Sequence, residues 1–130
     1  MTRSPRNASQ KISTLVSDVD GTLVTDDKFL TVRAQAAVAK LHACDINFAI
    51  ISSRPPRGLA MLLRPLGITT PVCGFNGEVI ATRNLAVITE HLLSPDTARR
   101  AVSLLDTHDV QVWVFSEQNW LVRDSDGPYV

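Results

Sequence analysis

Apolar residues fall into two kinds of pattern along this chain. Ile12 to Ser17 is a short apolar run with β-branched residues that breaks at once into turn chemistry, which predicts a buried strand. After Thr31, placed to act as an N-cap, "VRAQAAVAKLHA" sets Ala34, Ala37, Val38 and Leu41 on one helical face. Ile46 to Ser52 is a second continuous run of strand length. "RGLAMLLRPLG" then spaces Leu59, Leu62, Leu63 and Leu66 for a helix that Pro65 and Gly67 bring to an end. Pro71 to Cys73 predicts a third short strand.

Strand, helix, strand, helix, strand with near-continuous apolar strands is the pattern of an α/β fold: part of a doubly wound, Rossmann-like parallel sheet covered by helices on both faces. Ligands in such sheets bind beyond the carboxyl ends of the strands. Asp18, Ser52 and the "GFNG" loop would lie at that edge. After Gly77 the pattern changes. "EVIAT" and "AVITE" alternate around Arg83-Asn84 and predict a hairpin. Ser94-Pro95 then starts a helix whose buried stripe would be Ala98, Ala101, Val102 and Leu105. Val110 to Phe115 and Asn119 to Asp124 predict two closing strands around a turn at Glu117-Gln118. The expected organisation is a disordered tail over residues 1–11, a core segment over 12–77 and a small α/β unit over 78–130.

Composition narrows the function. Hydrophobic residues make up 45% of the chain, and 13 basic side chains balance 13 acidic ones. That balance argues against a broad nucleic-acid or anionic membrane face. No apolar run approaches the ~18 residues of a membrane span, and Met1 to Lys11 lacks the apolar centre of a signal peptide, so a soluble cytoplasmic protein is expected. Cys44 and Cys73 sit in no metal or redox spacing and read as buried, reduced thiols. His42, His91 and His108 read as surface residues, and Trp113 and Trp120 as packing residues.

The chemistry concentrates in "TLVSDVDGTLVTDDKF", residues 14–29, which holds the aspartates Asp18, Asp20, Asp26 and Asp27. Residues two apart at a strand end project to one side, so Asp18 and Asp20 can face one pocket. Two hard oxygen donors suit Mg²⁺, which favours carboxylate, water and phosphate oxygens. Gly21 allows a sharp turn and Thr22 adds a hydroxyl. A carboxylate nucleophile beside a second acid is one route to an aspartyl-phosphate. Asp26 and Asp27 read as loop solvation.

"DVDGTL" after an apolar strand resembles the first motif, DxDGT[LV], of the haloacid dehalogenase superfamily. The resemblance implies that Asp18 attacks phosphorus, while Asp20 serves as general acid/base and offers its backbone carbonyl to Mg²⁺. Ser52 in "IISSRP" is similar to the second motif, whose hydroxyl binds the transferring phosphoryl group. Arg54 and Pro55 resemble the "TGRP" of the Cof-type (subfamily IIB) branch, with Ser53 where the branch usually has Gly. "GFNGEVI" resembles its "NGA" loop, putting Asn76 and Gly77 in substrate-facing positions; read alone, Asn-Gly is a hairpin-turn signal. Residues 78–130 resemble the start of the branch's α/β cap.

The implied activity is a Mg²⁺-dependent phosphatase acting on a small phosphorylated metabolite. The family's Lys motif and distal acidic motif, which come after the cap in this branch, have no counterpart here. The expectation is therefore a chain that stops inside the cap, with Asp124 to Gly127 a cap turn rather than a metal-binding motif. Losing those groups would remove several orders of magnitude in rate and leave an open sheet edge that favours a homodimer or partner fragment. The alternative is a non-catalytic binding or interaction module. A phospho-accepting receiver domain is a third reading, but Ser52 stands where its acceptor aspartate would be.

Overall fold

A computed structural model describes residues 11–116 and 119–127; the expected turn at Glu117-Gln118, and all of the expected tail except Lys11, lie outside them. Two compact units divide the chain after His91.

In the first unit, β1 (Thr14–Ser17) pairs in parallel with β2 (Asn47–Ile50), in a register running from Thr14 opposite Asn47 to Ser17 opposite Ile50. The crossover is α1 (Val32–Ala43), started by Thr31, whose Oγ1 accepts from the Ala34 N–H at 3.1 Å. Next comes α2 (Pro56–Leu63), with proline at its first position, where a missing N–H is harmless. A parallel bridge from Ile51 to Cys73 brings β3 (Val72–Gly74) alongside β2. The αβ alternation expected from the apolar runs is therefore present, with β1 two residues and β2 three residues shorter than their runs and β3 shifted by one.

The expected hairpin forms as β4 (Val79–Ala81) and β5 (Val87–Glu90). It also hydrogen-bonds antiparallel onto β3, so residues 78–91, grouped by sequence with the carboxyl-terminal unit, belong by contact to the amino-terminal one. The core centres on Val19, Phe48, Ile50, Leu59, Leu62, Ile68 and Val72, all at most 2% exposed.

β1 is not the buried strand that its sequence suggests. Leu15 and Val16 are exposed, because α1 packs on β2, and α2 on β3 and β4. Cys44 is exposed rather than buried, because it caps the end of α1, just before Asp45 turns at φ 56°. His42 is half-buried rather than superficial, with its Nε2 3.1 Å from the Leu66 carbonyl.

The second unit comprises α3 (Pro95–Leu105) and the antiparallel pair β6 (Val114–Ser116) and β7 (Asn119–Leu121). Ser94 caps α3 through a 3.2 Å bond from the Thr97 N–H. The expected stripe is not buried: Ala98, Ala101 and Val102 are half-exposed, and Leu105 is exposed. Trp113 meets Trp120 edge to face with centroids 5.0 Å apart, and Phe115 stacks on Trp120 at 6.1 Å, so the tryptophans do pack, though at the surface. Asp124–Gly127 is a turn, with the Asp126 N–H 2.9 Å from Asp124 Oδ1. No helix among the described residues is long and apolar enough to cross a membrane.

Candidate active site at the carboxyl edge of the strands

The parallel register brings the carboxyl ends of β1 and β2 together: the Ile51 N–H donates to the Ser17 carbonyl at 3.0 Å. Beyond β1 the chain turns on Val19, whose side chain is fully buried and whose carbonyl accepts from the amides of Thr22, Leu23 and Val24. Gly21 at φ 72° makes that turn possible, since a residue with a Cβ rarely adopts it. Burying Val19 turns its two neighbours outward. Asp18 is exposed, and its carboxylate makes no hydrogen bond or ion pair among the described residues; Thr22 is exposed as well.

Asp20 has a different environment. Arg54 reaches across from the loop after β2, with Nε 2.9 Å from Asp20 Oδ2 and a terminal nitrogen 2.7 Å from Oδ1. Lys28 adds Nζ at 2.9 Å from the same Oδ1. These bonds, Arg54's foremost, outweigh partial burial and bring the Asp20 carboxyl from its ordinary value down to about 2, and the same pairing raises Arg54. Asp20 is therefore ionised at neutral pH.

Ser52 is buried at 1% exposure, and its Oγ accepts from the Arg54 N–H at 3.2 Å. Ser53, where glycine stands in the branch it resembles, is not at positive φ, so serine carries no backbone penalty there. The Phe75 and Asn76 amides donate to the carbonyls of Arg54 (3.0 Å) and Ser52 (2.8 Å), stitching the next loop to this one. That stitching holds Phe75 and Asn76 at φ 50° and 57°, which non-glycine residues adopt only when their surroundings fix them. Asn76-Gly77 is also the turn of the β3–β4 hairpin, so its turn chemistry is used structurally. Close approach matters at Gly74, where a Cβ would lie 2.5 Å from Pro56 Cδ.

Three loops thus converge at one sheet edge. The motif turn and the Ser52–Arg54 loop are joined side chain to side chain, and the Asn76 loop is joined through its backbone. Among the described residues no hydrogen bond joins Asp18, Thr22 or Gly77 to the other predicted site residues. Sequence reasoning missed Lys28, which sits in a stretch that reads as loop solvation; its signal was a lysine one tight turn after the aspartate motif.

Among the described residues no group of three or more His, Cys, Asp or Glu side chains is placed to hold a metal ion. Mg²⁺ commonly uses only one or two carboxylates and fills its remaining positions with water and phosphate oxygen. The unpaired Asp18 carboxylate fits that role in kind, whereas the Asp20 carboxylate is already occupied by cations.

Residues 15–128 match the family described as haloacid dehalogenase-like hydrolase. A Haemophilus influenzae protein named provisionally as a phosphatase is 26% identical over 115 residues, covering 88% of this chain and 44% of its own length. The 5-amino-6-(5-phospho-D-ribitylamino)uracil phosphatase YitU of Bacillus subtilis is 32% identical over 63 residues, covering 48% of this chain and 23% of its own. A subclass IIB sugar phosphatase of the same superfamily shares the fold at TM-score 0.72 and 21% identity, covering 85% of this chain and 43% of its own. The chain spans less than half the length of these relatives. Together with the DxDGT turn at the strand edge, the match over most of the chain means that this protein belongs to the haloacid dehalogenase-like hydrolase family.

Proposed function

We propose that this chain carries the nucleophile half of a Mg²⁺-dependent phosphatase site acting on a small phosphorylated metabolite in the cytoplasm. The observation that carries the reading is the two-point grip of Arg54 on Asp20, which ties the motif turn to the Ser52 loop and leaves the Asp18 carboxylate unpaired at the sheet edge. In this reading Asp18 attacks phosphorus, forming an aspartyl-phosphate as the ester P–O bond breaks and the leaving oxygen takes a proton. Water then attacks phosphorus, regenerates Asp18 and releases inorganic phosphate. Ser52 Oγ and the Arg54 guanidinium bind phosphoryl oxygens, Thr22 supplies a nearby hydroxyl, and Asn76 and Gly77 face the substrate.

The metal, held by the Asp18 carboxylate and the Asp20 backbone carbonyl, would supply positive charge for the phosphoryl oxygens. Because Arg54 and Lys28 hold Asp20 ionised, it is fitted to accept the proton of the attacking water; protonating a leaving group requires Arg54 to let go first. Sugar phosphates and a phosphorylated ribitylaminouracil are the substrate classes that the relatives' names support. Residues 92–130 would serve as part of a cap. The apolar, uncovered β1 supports pairing with a second copy of the chain; sedimentation as a monodisperse monomer would count against that dimer.

The hold of Arg54 and Lys28 on the Asp20 carboxylate, which opposes its protonation, favours a second reading, a module that binds phosphate without turning it over. The two separate on one assay. Purified protein with Mg²⁺ is given a panel of sugar phosphates and an aryl phosphate beside Asp18→Asn. Hydrolysis above that control supports the enzyme, and none leaves only the module.

A further inference from the structure

The loop after the aspartate motif closes tightly on itself. Val24 bridges Leu30, the Thr25 N–H donates to the Phe29 carbonyl at 3.0 Å, and the Lys28 N–H donates to the Thr25 carbonyl at 2.9 Å. The Phe29 N–H adds a 3.2 Å bond to Thr25 Oγ1. This turn holds Lys28 at φ 65°, a left-handed conformation that a long side chain gains nothing by adopting. What the strained turn achieves is placement of the ammonium 2.9 Å from Asp20 Oδ1.

Asp20 has no need of it. Arg54 already engages both carboxylate oxygens and is the larger influence on its ionisation. The Lys28 side chain is 59% exposed, and an ion pair that exposed adds little stability. Lys28 and Arg54 share one oxygen, so they lie no farther apart than the sum of two short bonds, with one positive charge in excess over the carboxylate. That excess sits at the sheet edge, on the loop network that contains Ser52.

We propose that Lys28 is a phosphate-binding residue, whose ammonium turns from Asp20 onto an oxygen of a phosphate group bound at the sheet edge while Arg54 keeps its hold on Asp20. This rests on reading that edge as a phosphoryl site. The high exposure of Lys28 leaves its side chain free to change partner, and a compact ammonium with three donors suits a phosphate oxygen.

The test is titration of inorganic phosphate with Mg²⁺, followed by ³¹P NMR, on the wild-type chain and the variants K28N, K28R and R54Q, with a melting temperature for each. K28N is expected to bind phosphate about tenfold more weakly, the effect of removing one charged hydrogen bond. It should melt no lower than wild type, because asparagine tolerates the left-handed backbone. K28R should stay within about twofold of wild type, since it keeps the charge. Wild-type affinity in K28N overturns the proposal, and if R54Q has lost phosphate in the same series the sheet-edge reading stands without Lys28. Equal losses in K28N and K28R with lowered melting temperatures mark Lys28 as a structural turn residue and also overturn it. No phosphate binding by the wild-type chain overturns the sheet-edge reading and Lys28 with it.

Discussion

In the first unit α2 turns Leu59 and Leu62 against β3 and β4, and both are excluded from water at 0% and 1% exposure. In the second unit α3 carries an equally regular apolar stripe, yet it has no buried residue. The helices differ little in pattern. They differ in what they meet: α2 lies on the three-stranded sheet of β3, β4 and β5, whose apolar residues help complete a core, while among the described residues β6 and β7 form a pair of three-residue strands. A two-stranded pair that short cannot cover a helix. Order in the second unit rests instead on local devices, namely the Ser94 cap, the Arg99–Asp96 and Arg123–Asp106 ion pairs and the aromatic cluster on Trp120.

The sharpest test of this contrast is a matched pair of truncations. Leu59→Ala is expected to destabilise the first unit by about 2–5 kcal/mol in chemical denaturation, as a cavity in a packed core does. Leu105→Ala should change stability by less than about 1 kcal/mol, since Leu105 is 40% exposed and lies outside the packed core. Equal losses would erase the distinction.

Gly74→Ala falls between these, at about 1–3 kcal/mol, because its Cβ would press on the Pro56 ring and backbone at 2.5 and 2.8 Å. It should also weaken phosphate binding, because Gly74 opens into the Asn76 loop. A smaller effect is expected of Arg54→Gln, a loss on the order of 1 kcal/mol at pH 7 once solvent screening is allowed for. Its pH dependence carries the sign of a lowered carboxyl. The stabilisation from Asp20 is fully present above its ordinary value of 3.8 and disappears as pH falls toward about 2. The wild-type advantage over Arg54→Gln in urea midpoints should accordingly shrink between pH 4 and pH 2 and not change between pH 5 and pH 7. Smallest in energy is the contrast in hydrogen exchange, where α3 amides should exchange faster than those of α2.

Local patterns were enough to read β1 to β3, α1 and α2, because apolar runs and amphipathic stripes announce themselves locally, whereas the aspartate motif and Ser52 were picked out by their resemblance to a family's motifs. Long-range choices were not legible. The Asn76-Gly77 turn signal does announce the pairing of "EVIAT" with β3, but nothing in the run from Ile12 to Ser17 says that its strand will lack a helix over it. Burial of α3 could not be read from its stripe either, since a stripe records what a helix offers and not what it meets. At the site, the bond from Arg54 to Asp20 spans 34 residues and depends on the parallel register. Lys28 was hidden for a local reason: turn residues next to aspartates look the same whether they solvate a loop or aim a cation.

The phosphatase reading stands or falls on which side chain becomes phosphorylated. The chain is mixed with Mg²⁺ and an aryl phosphate, quenched in acid within a turnover, and its peptides are read by mass spectrometry. Phosphate on Asp18, absent from Asp18→Asn, is the expected result. Phosphate release with Asp18 unmodified, or release that continues undiminished in Asp18→Asn, would contradict it.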